Sequence, residues 1–108
     1  MNKYQNKFNE YLSTKSFSKE LNEIIGHTIF NGGRRIRPQL VLGWCEALGG
    51  DEQIALDFAL AVELVHCASL ALDDLSCMDD ELERRGQQCV HKKYGEAVAI
   101  LSTYEMIA

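Results

Sequence analysis

Proline occurs once, at position 38, and stretches rich in glycine or serine that would mark a linker are missing. Nothing in the chain therefore argues for a second domain. No basic opening segment runs into an apolar one, so no secretory leader is expected. The cysteines, Cys45, Cys67, Cys77 and Cys89, form no C-x-x-C pair. That sets aside zinc-ribbon and thioredoxin-type chemistry and points to a reduced, cytoplasmic setting, with Cys45 and Cys67 as buried small hydrophobes. No apolar run reaches transmembrane length, so no membrane span is expected. Positive charge is in deficit as well: 11 Lys and Arg against 16 Asp and Glu give a net charge of −5. Bulk attraction to nucleic acid or to an anionic membrane is not expected from such a balance. No internal repeat or low-complexity tract is visible. What remains is an ordinary globular composition, 46% apolar and 25% charged over 108 residues, enough for one small domain.

Every periodic segment reads as helix. Tyr4, Phe8, Tyr11 and Leu12 recur at helical spacing between Lys3 and Leu12. Ser16 or Ser18 can cap a second helix with Phe17, Leu21, Ile24, Ile25 and Ile29 on its apolar face, running to Gly32-Gly33. A third helix runs from Pro38 to Leu48. Asp51 caps a long fourth one that is apolar nearly all round and belongs in the middle of a bundle. Residues 87–91 carry no clear signal. A last helix starts near Gly95 with Ala97, Val98, Ile100, Leu101, Tyr104 and Ile107 as its apolar residues. The fold class expected is all-α.

Chemistry concentrates in two stretches. The first is Glu63 to Gly86, E-L-V-H-C-A-S-L-A-L-D-D-L-S-C-M-D-D-E-L-E-R-R-G, an apolar helix that ends in carboxylates and an arginine pair. At about 100° per residue, Glu63, His66, Leu70, Asp73 and Asp74 share one stripe and are expected to face one space. An unbroken helix would put Asp79 on the far side, so the helix is expected to end or distort near Leu75, where Ser76 begins a polar run. Carboxylates packed this closely repel one another, and a hard divalent cation such as Mg²⁺ removes the conflict. The second stretch is Gly32-Gly33-Arg34-Arg35-Ile36-Arg37-Pro38. Its glycines end one helix, Pro38 suits the first turn of the next, and Pro38 is expected to hold Arg37 extended. Guanidinium forks on such a turn can clamp a phosphate or diphosphate; a solubilising basic loop is the plainer reading.

With G-G-R-R-I-R-P, E-L-V-H-C-A-S-L-A-L-D-D-L-S-C-M-D-D, R-R-G and H-K-K-Y-G-E-A-V-A-I-L in that order, the sequence from about Leu21 onward resembles the trans-isoprenyl diphosphate synthases, or polyprenyl synthetases. It is most similar to the bacterial and plant-type farnesyl and geranylgeranyl diphosphate synthases, whose first aspartate-rich motif has two extra residues. The resemblance implies the isoprenoid synthase helical bundle, of which residues 1–108 are the N-terminal part of one incomplete domain. It further implies a homodimer when full length, and Mg²⁺-dependent condensation of isopentenyl diphosphate with an allylic diphosphate. Asp73, Asp74 and Asp79 match the metal-binding motif, with Asp73 and Asp79 the direct ligands. Arg84 matches the arginine that holds the allylic diphosphate. Arg34, Arg37, His66 and Arg85 match the isopentenyl diphosphate site. Arg34 stands where the family usually has Lys, Leu72 where it has His, Ser76 where it has Pro, and Tyr104 where many members have Asp. The second aspartate-rich motif lies beyond Ala108, and the 108 residues alone are expected to be inactive. Ala68 and Ser69, small residues about one turn before Asp73, leave the cavity floor open and point to a geranylgeranyl product, with farnesyl next. The alternative is a truncated, non-catalytic chain or accessory subunit of the same fold. A nucleic-acid binder using Arg34, Arg35, Arg37, Arg84 and Arg85 fits poorly, because those arginines are interleaved with carboxylates rather than aromatics.

Overall fold

The computed structural model describes residues 2–15, 22–29 and 33–108. Its elements are α1 (Lys3–Ser13), α2 (Asn22–Ile29), α3 (Ile36–Ala47), α4 (Glu52–Asp73), β1 (Glu83–Arg84), β2 (Gln87–Gln88), α5 (Val90–Tyr94) and α6 (Glu96–Ile107). The all-α expectation is met, with one addition: the segment without a clear signal becomes a two-stranded antiparallel hairpin and a short helix. The proposed caps at Ser16 and Ser18, and Phe17, Leu21 and Gly32, lie outside the described residues.

The chain divides into two compact units, with the boundary inside α4 after Glu63. The first holds α1, α3 and the N-terminal half of α4. Phe8, Leu12, Leu42, Ala55, Leu56 and Ala59 are buried there. Caps set the helix starts: the Asn2 side chain accepts from the Gln5 amide, and the Asp51 carboxylate accepts from the Gln53 amide at 2.9 Å. Ion pairs Lys3–Glu46 at 2.8 Å and Lys7–Glu52 at 2.9 Å, with a Tyr11–Asp57 hydrogen bond, lace the unit's surface.

The second unit holds α2, the rest of α4, the hairpin, α5 and α6. Ala71, Leu75, Val90 and Ala99 form its core, with Ile24, Leu72 and Tyr94 packed against them. Glu23 and His27 of α2 reach Tyr94, the first by a 3.3 Å hydrogen bond and the second edge-on at 5.7 Å.

Three expectations change. The third helix starts at Ile36, not Pro38, and Arg37 is helical rather than extended. A proline in the first turn removes only an amide that lacks an intrahelical partner there, so the helix accommodates it. Apolar α4 is not buried on every side, because Ile54, Phe58 and Val65 are at least half exposed. In α6, for which no buried face was expected, Ala99, Ser102, Thr103 and Met106 are buried, while Leu101, Tyr104 and Ile107 are exposed. Finally, by length and composition alone α4 is apolar enough to cross a membrane. Asp57 and Glu63 within it, and the ion pair that Glu63 makes, suit a bundle helix better.

Candidate active site

The site in the second unit is built where α4 ends. Beyond Asp73 the chain turns back on the helix: the Asp80 amide donates to the Leu75 carbonyl at 2.9 Å, with Asp80 left-handed at φ 50°. The Asp79 amide then donates to the Asp73 carbonyl at 2.8 Å, and the Glu81 amide to that of Asp74 at 3.1 Å. The helix therefore ends near Leu75 as expected, and Asp79 returns beside Asp73, both side chains exposed.

Asp74 has different company. Its carboxylate is buried and accepts from both arms of Arg84, Nε at 2.8 Å and Nη2 at 2.6 Å. This bidentate fork fixes the guanidinium plane, and the Asp74 hydrogen bond raises the Arg84 pKa further. The Cys89 thiol donates to the same carboxylate at 3.5 Å. Burial, with the Asp74 charge adding, pushes that thiol up to about 11, so it stays a protonated donor. A cavity of about 30 Å³, room for a water or two, lies among Cys67, Asp74, Arg84 and Cys89.

Arg84 and Arg85 reach this place on the β1–β2 hairpin, where Glu83 faces Gln88 and Arg84 faces Gln87. The loop is Arg85-Gly86 with φ 54° and 78°, both left-handed as a two-residue hairpin of this twist requires. Asparagine or glycine usually takes the first loop position; arginine there holds its backbone in a disfavoured region. The hairpin is tied down by a 2.7 Å hydrogen bond between His27 Nε2 and the Gln88 carbonyl. The Arg85 guanidinium lies against Gly33, where an added Cβ would stand 2.7 Å from Cζ. With φ at 103°, the backbone favours glycine at position 33, and an added Cβ would push the end of the Arg85 side chain aside.

In the first unit, Arg34 and Arg37 are exposed on the turn into α3, and Arg35 between them is buried. Arg35 Nη1 donates to Glu63 Oε1 at 3.2 Å. Of the expected stripe, Glu63 lies in the first unit and His66, Leu70, Asp73 and Asp74 in the second, and their partners differ. Glu63 is neutralised by Arg35, Asp74 by Arg84, His66 is half-buried and Asp73 is exposed. Helical angle sets where a Cβ points, but neighbouring elements decide what each carboxylate meets. Ala68 and Ser69 also part: Ala68 is fully buried and Ser69 is exposed, its hydroxyl donating to the His66 carbonyl at 2.6 Å.

Among the described residues no group of three or more His, Cys, Asp or Glu is arranged to hold a metal. Asp73 and Asp79, joined here through the backbone, are carboxylates of the kind a hard divalent cation takes together with water and phosphate oxygens. The sequence left unmarked the roles of Arg35, Cys89, His27 and Gly33. Glu63, a carboxylate flanked by apolar residues in the middle of α4, carried a signal that a buried partner was needed.

The Polyprenyl synthetase family model matches residues 18–108. The chain belongs to that family. Among curated proteins it is 48% identical over 84 residues to geranylgeranyl pyrophosphate synthase 6, mitochondrial, of Arabidopsis thaliana, covering 78% of this chain and 25% of the relative. Among solved structures it is similar to a geranyltranstransferase from Thermotoga maritima, with TM-score 0.81 and 39% identity over 97% of this chain and 39% of that one. A geranyltransferase from Legionella pneumophila gives TM-score 0.89 and 34% identity, with the same coverage. The chain thus spans about a quarter of the length of the curated relatives it matches.

Proposed function

We propose that these residues form part of a prenyltransferase that joins isopentenyl diphosphate to an allylic diphosphate and releases a short-chain prenyl diphosphate. The observation that carries this reading is the fold-back at the end of α4, which sets Asp79 beside Asp73 and pins Arg84 through Asp74. Magnesium held by Asp73 and Asp79, when bound, would offset the charge that develops on the leaving diphosphate. Arg84, fixed in plane, contributes donors to the same developing charge, and such preorganised terms are worth several kcal/mol each. Arg34, Arg37, His66 and Arg85 would hold the isopentenyl diphosphate, whose double bond attacks the allylic carbon before a proton is lost. The curated relatives, named geranylgeranyl pyrophosphate synthases, support a geranylgeranyl product, and the geranyltranstransferase and geranyltransferase among the solved structures keep farnesyl as the runner-up. The reading carries a cytoplasmic homodimer; none of the four cysteines is in a disulfide, which is compatible with a reduced compartment.

The test uses a purified polypeptide that contains residues 1–108 within its complete reading frame. Incubated with Mg²⁺, isopentenyl diphosphate and labelled geranyl or farnesyl diphosphate, it should yield a longer prenyl diphosphate. Absence of any metal-dependent elongation would overturn the proposal. Asp73→Asn or Asp79→Asn should lower kcat far more than isopentenyl diphosphate affinity, whereas Arg37→Ala should chiefly raise the KM for that substrate. Ser69→Phe, at the exposed position, should shorten the product. Ala68→Phe must also displace packed neighbours, so its effect on length is read together with its stability.

A further inference from the structure

Arg35 and Glu63 stand apart from the residues that touch substrate in the proposed reaction, yet they form a buried ion pair. Both side chains are 3% exposed, and they lie 28 residues apart in sequence. The guanidinium has further company: Nε donates to Asn9 Oδ1 at 3.3 Å, and Cζ sits 5.7 Å from the centre of the Phe8 ring. The Arg35 backbone is left-handed, φ 56° and ψ 37°, at the residue just before α3. A non-glycine residue adopts that conformation only where its surroundings hold it there. The residues on either side, Arg34 and Arg37, are exposed. Three arginines within four positions thus split into one turned in and two turned out.

We infer that the Arg35–Glu63 pair is a positioning device for the diphosphate site, fixing the turn so that Arg34 and Arg37 present their guanidinium groups together. The inference rests on the function proposed above for Arg34 and Arg37. The physical ground is that the pair adds no net charge to the turn but removes its freedom. Arg35 is drawn inward by a carboxylate on the long helix α4, and that inward pull sets the direction in which its neighbours leave the backbone. Loss of the carboxylate frees the turn to sample the right-handed region, and the two outward arginines lose their common aim. Misplacement of a binding group by an ångström or so commonly costs one to two orders of magnitude in effect.

Two variants separate positioning from mere support of the fold. Glu63→Gln keeps shape and a hydrogen-bonding oxygen while removing the charge. The double variant Arg35→Gly with Glu63→Leu keeps the left-handed φ accessible and the interior apolar, so it folds without the pin. In the complete polypeptide, both should raise the KM for isopentenyl diphosphate by about tenfold, with kcat and the allylic KM moving by less than about threefold. An isopentenyl diphosphate KM unchanged in either folded variant would overturn the inference. So would a joint fall of kcat, both affinities and the folded fraction, because the pair would then be a pin of the fold alone. Calorimetric titration with inorganic diphosphate keeps this distinct from the proposed function. A parent that makes no prenyl product but binds diphosphate, more weakly in Glu63→Gln, sinks the function and upholds the pair; a parent that does neither sinks both.

Discussion

Two short turns in this chain each place an arginine in the left-handed conformation, and they use it in opposite ways. In the turn before α3 the left-handed residue, Arg35, is buried against Glu63, and its neighbours Arg34 and Arg37 face outward. In the hairpin the left-handed residue, Arg85, is exposed at the tip, and its neighbour Arg84 is the one tethered, through Asp74. Each turn therefore divides its arginines into an anchor and a presented group. The difference is which residue bears the backbone strain. In the first the anchor bears it, in the second the presented group does.

The anchors also differ in solvent, and that predicts the largest effects. Arg35 and Glu63 are equally inaccessible, whereas Arg84 is 35% exposed against 4% for Asp74. Removing either member of the first pair takes the opposite charge away from a buried one, so Glu63→Ala should lower stability by about 3–5 kcal/mol. Asp74→Ala leaves behind an arginine that water can reach, and should cost roughly 1 kcal/mol. Arg84→Ala leaves the buried Asp74 with the Cys89 thiol as its side-chain donor among the described residues and should fall near the Glu63 figure. Urea unfolding of the three variants checks the ordering. Equal losses for Asp74→Ala and Arg84→Ala would remove the asymmetry between the turns.

A middle-sized effect is expected at the glycine against the hairpin tip. Gly33→Ala imposes a left-handed backbone on a residue with a Cβ and puts that Cβ 2.7 Å from Arg85 Cζ. Gly49→Ala imposes the first penalty alone, since nothing lies within 4 Å of it. Both should lose about 1–2 kcal/mol from the backbone. Only Gly33→Ala should also displace the arginine, and that part should vanish when Arg85→Ala is already present. A double-mutant cycle measures the coupling. Strict additivity would show that Arg85 needs no cradle.

How much of this was legible beforehand follows from the same residues. The helical frame was, because apolar spacing and caps such as Asp51 are local signals. The end of α4 near Leu75 was too, since an intact helix cannot bring Asp79 round to Asp73. The division of labour within R-R-I-R and R-R-G was not. Arginines side by side carry one composition, and which is buried depends on a carboxylate 28 residues away in one case and 10 in the other. Arg37 was misjudged because the usual restriction before proline yields in the first turn of a helix.

The smallest effect expected belongs to the hairpin's anchor, which includes a titrating thiol. Burial raises Cys89 from its ordinary value of 9.0 to about 11, so the folded chain keeps the proton where the unfolded chain has lost it. Stability from this group is therefore complete below about pH 9 and is lost as pH rises toward about 11. Tyr11 in the first unit is raised in the same sense, to about 12, chiefly by burial and then by its bond to Asp57, and adds a parallel alkaline loss. Cys89→Ser should flatten the first part of the decline, and Tyr11→Phe the later part. Urea midpoints across the alkaline range read both. Alkylation gives an independent check, because a buried neutral thiol is a poor nucleophile. The exposed Cys77 should react with iodoacetamide well before Cys89 at mildly alkaline pH. Equal rates would mean that the thiol is not held against Asp74, and that Arg84 alone anchors the second turn.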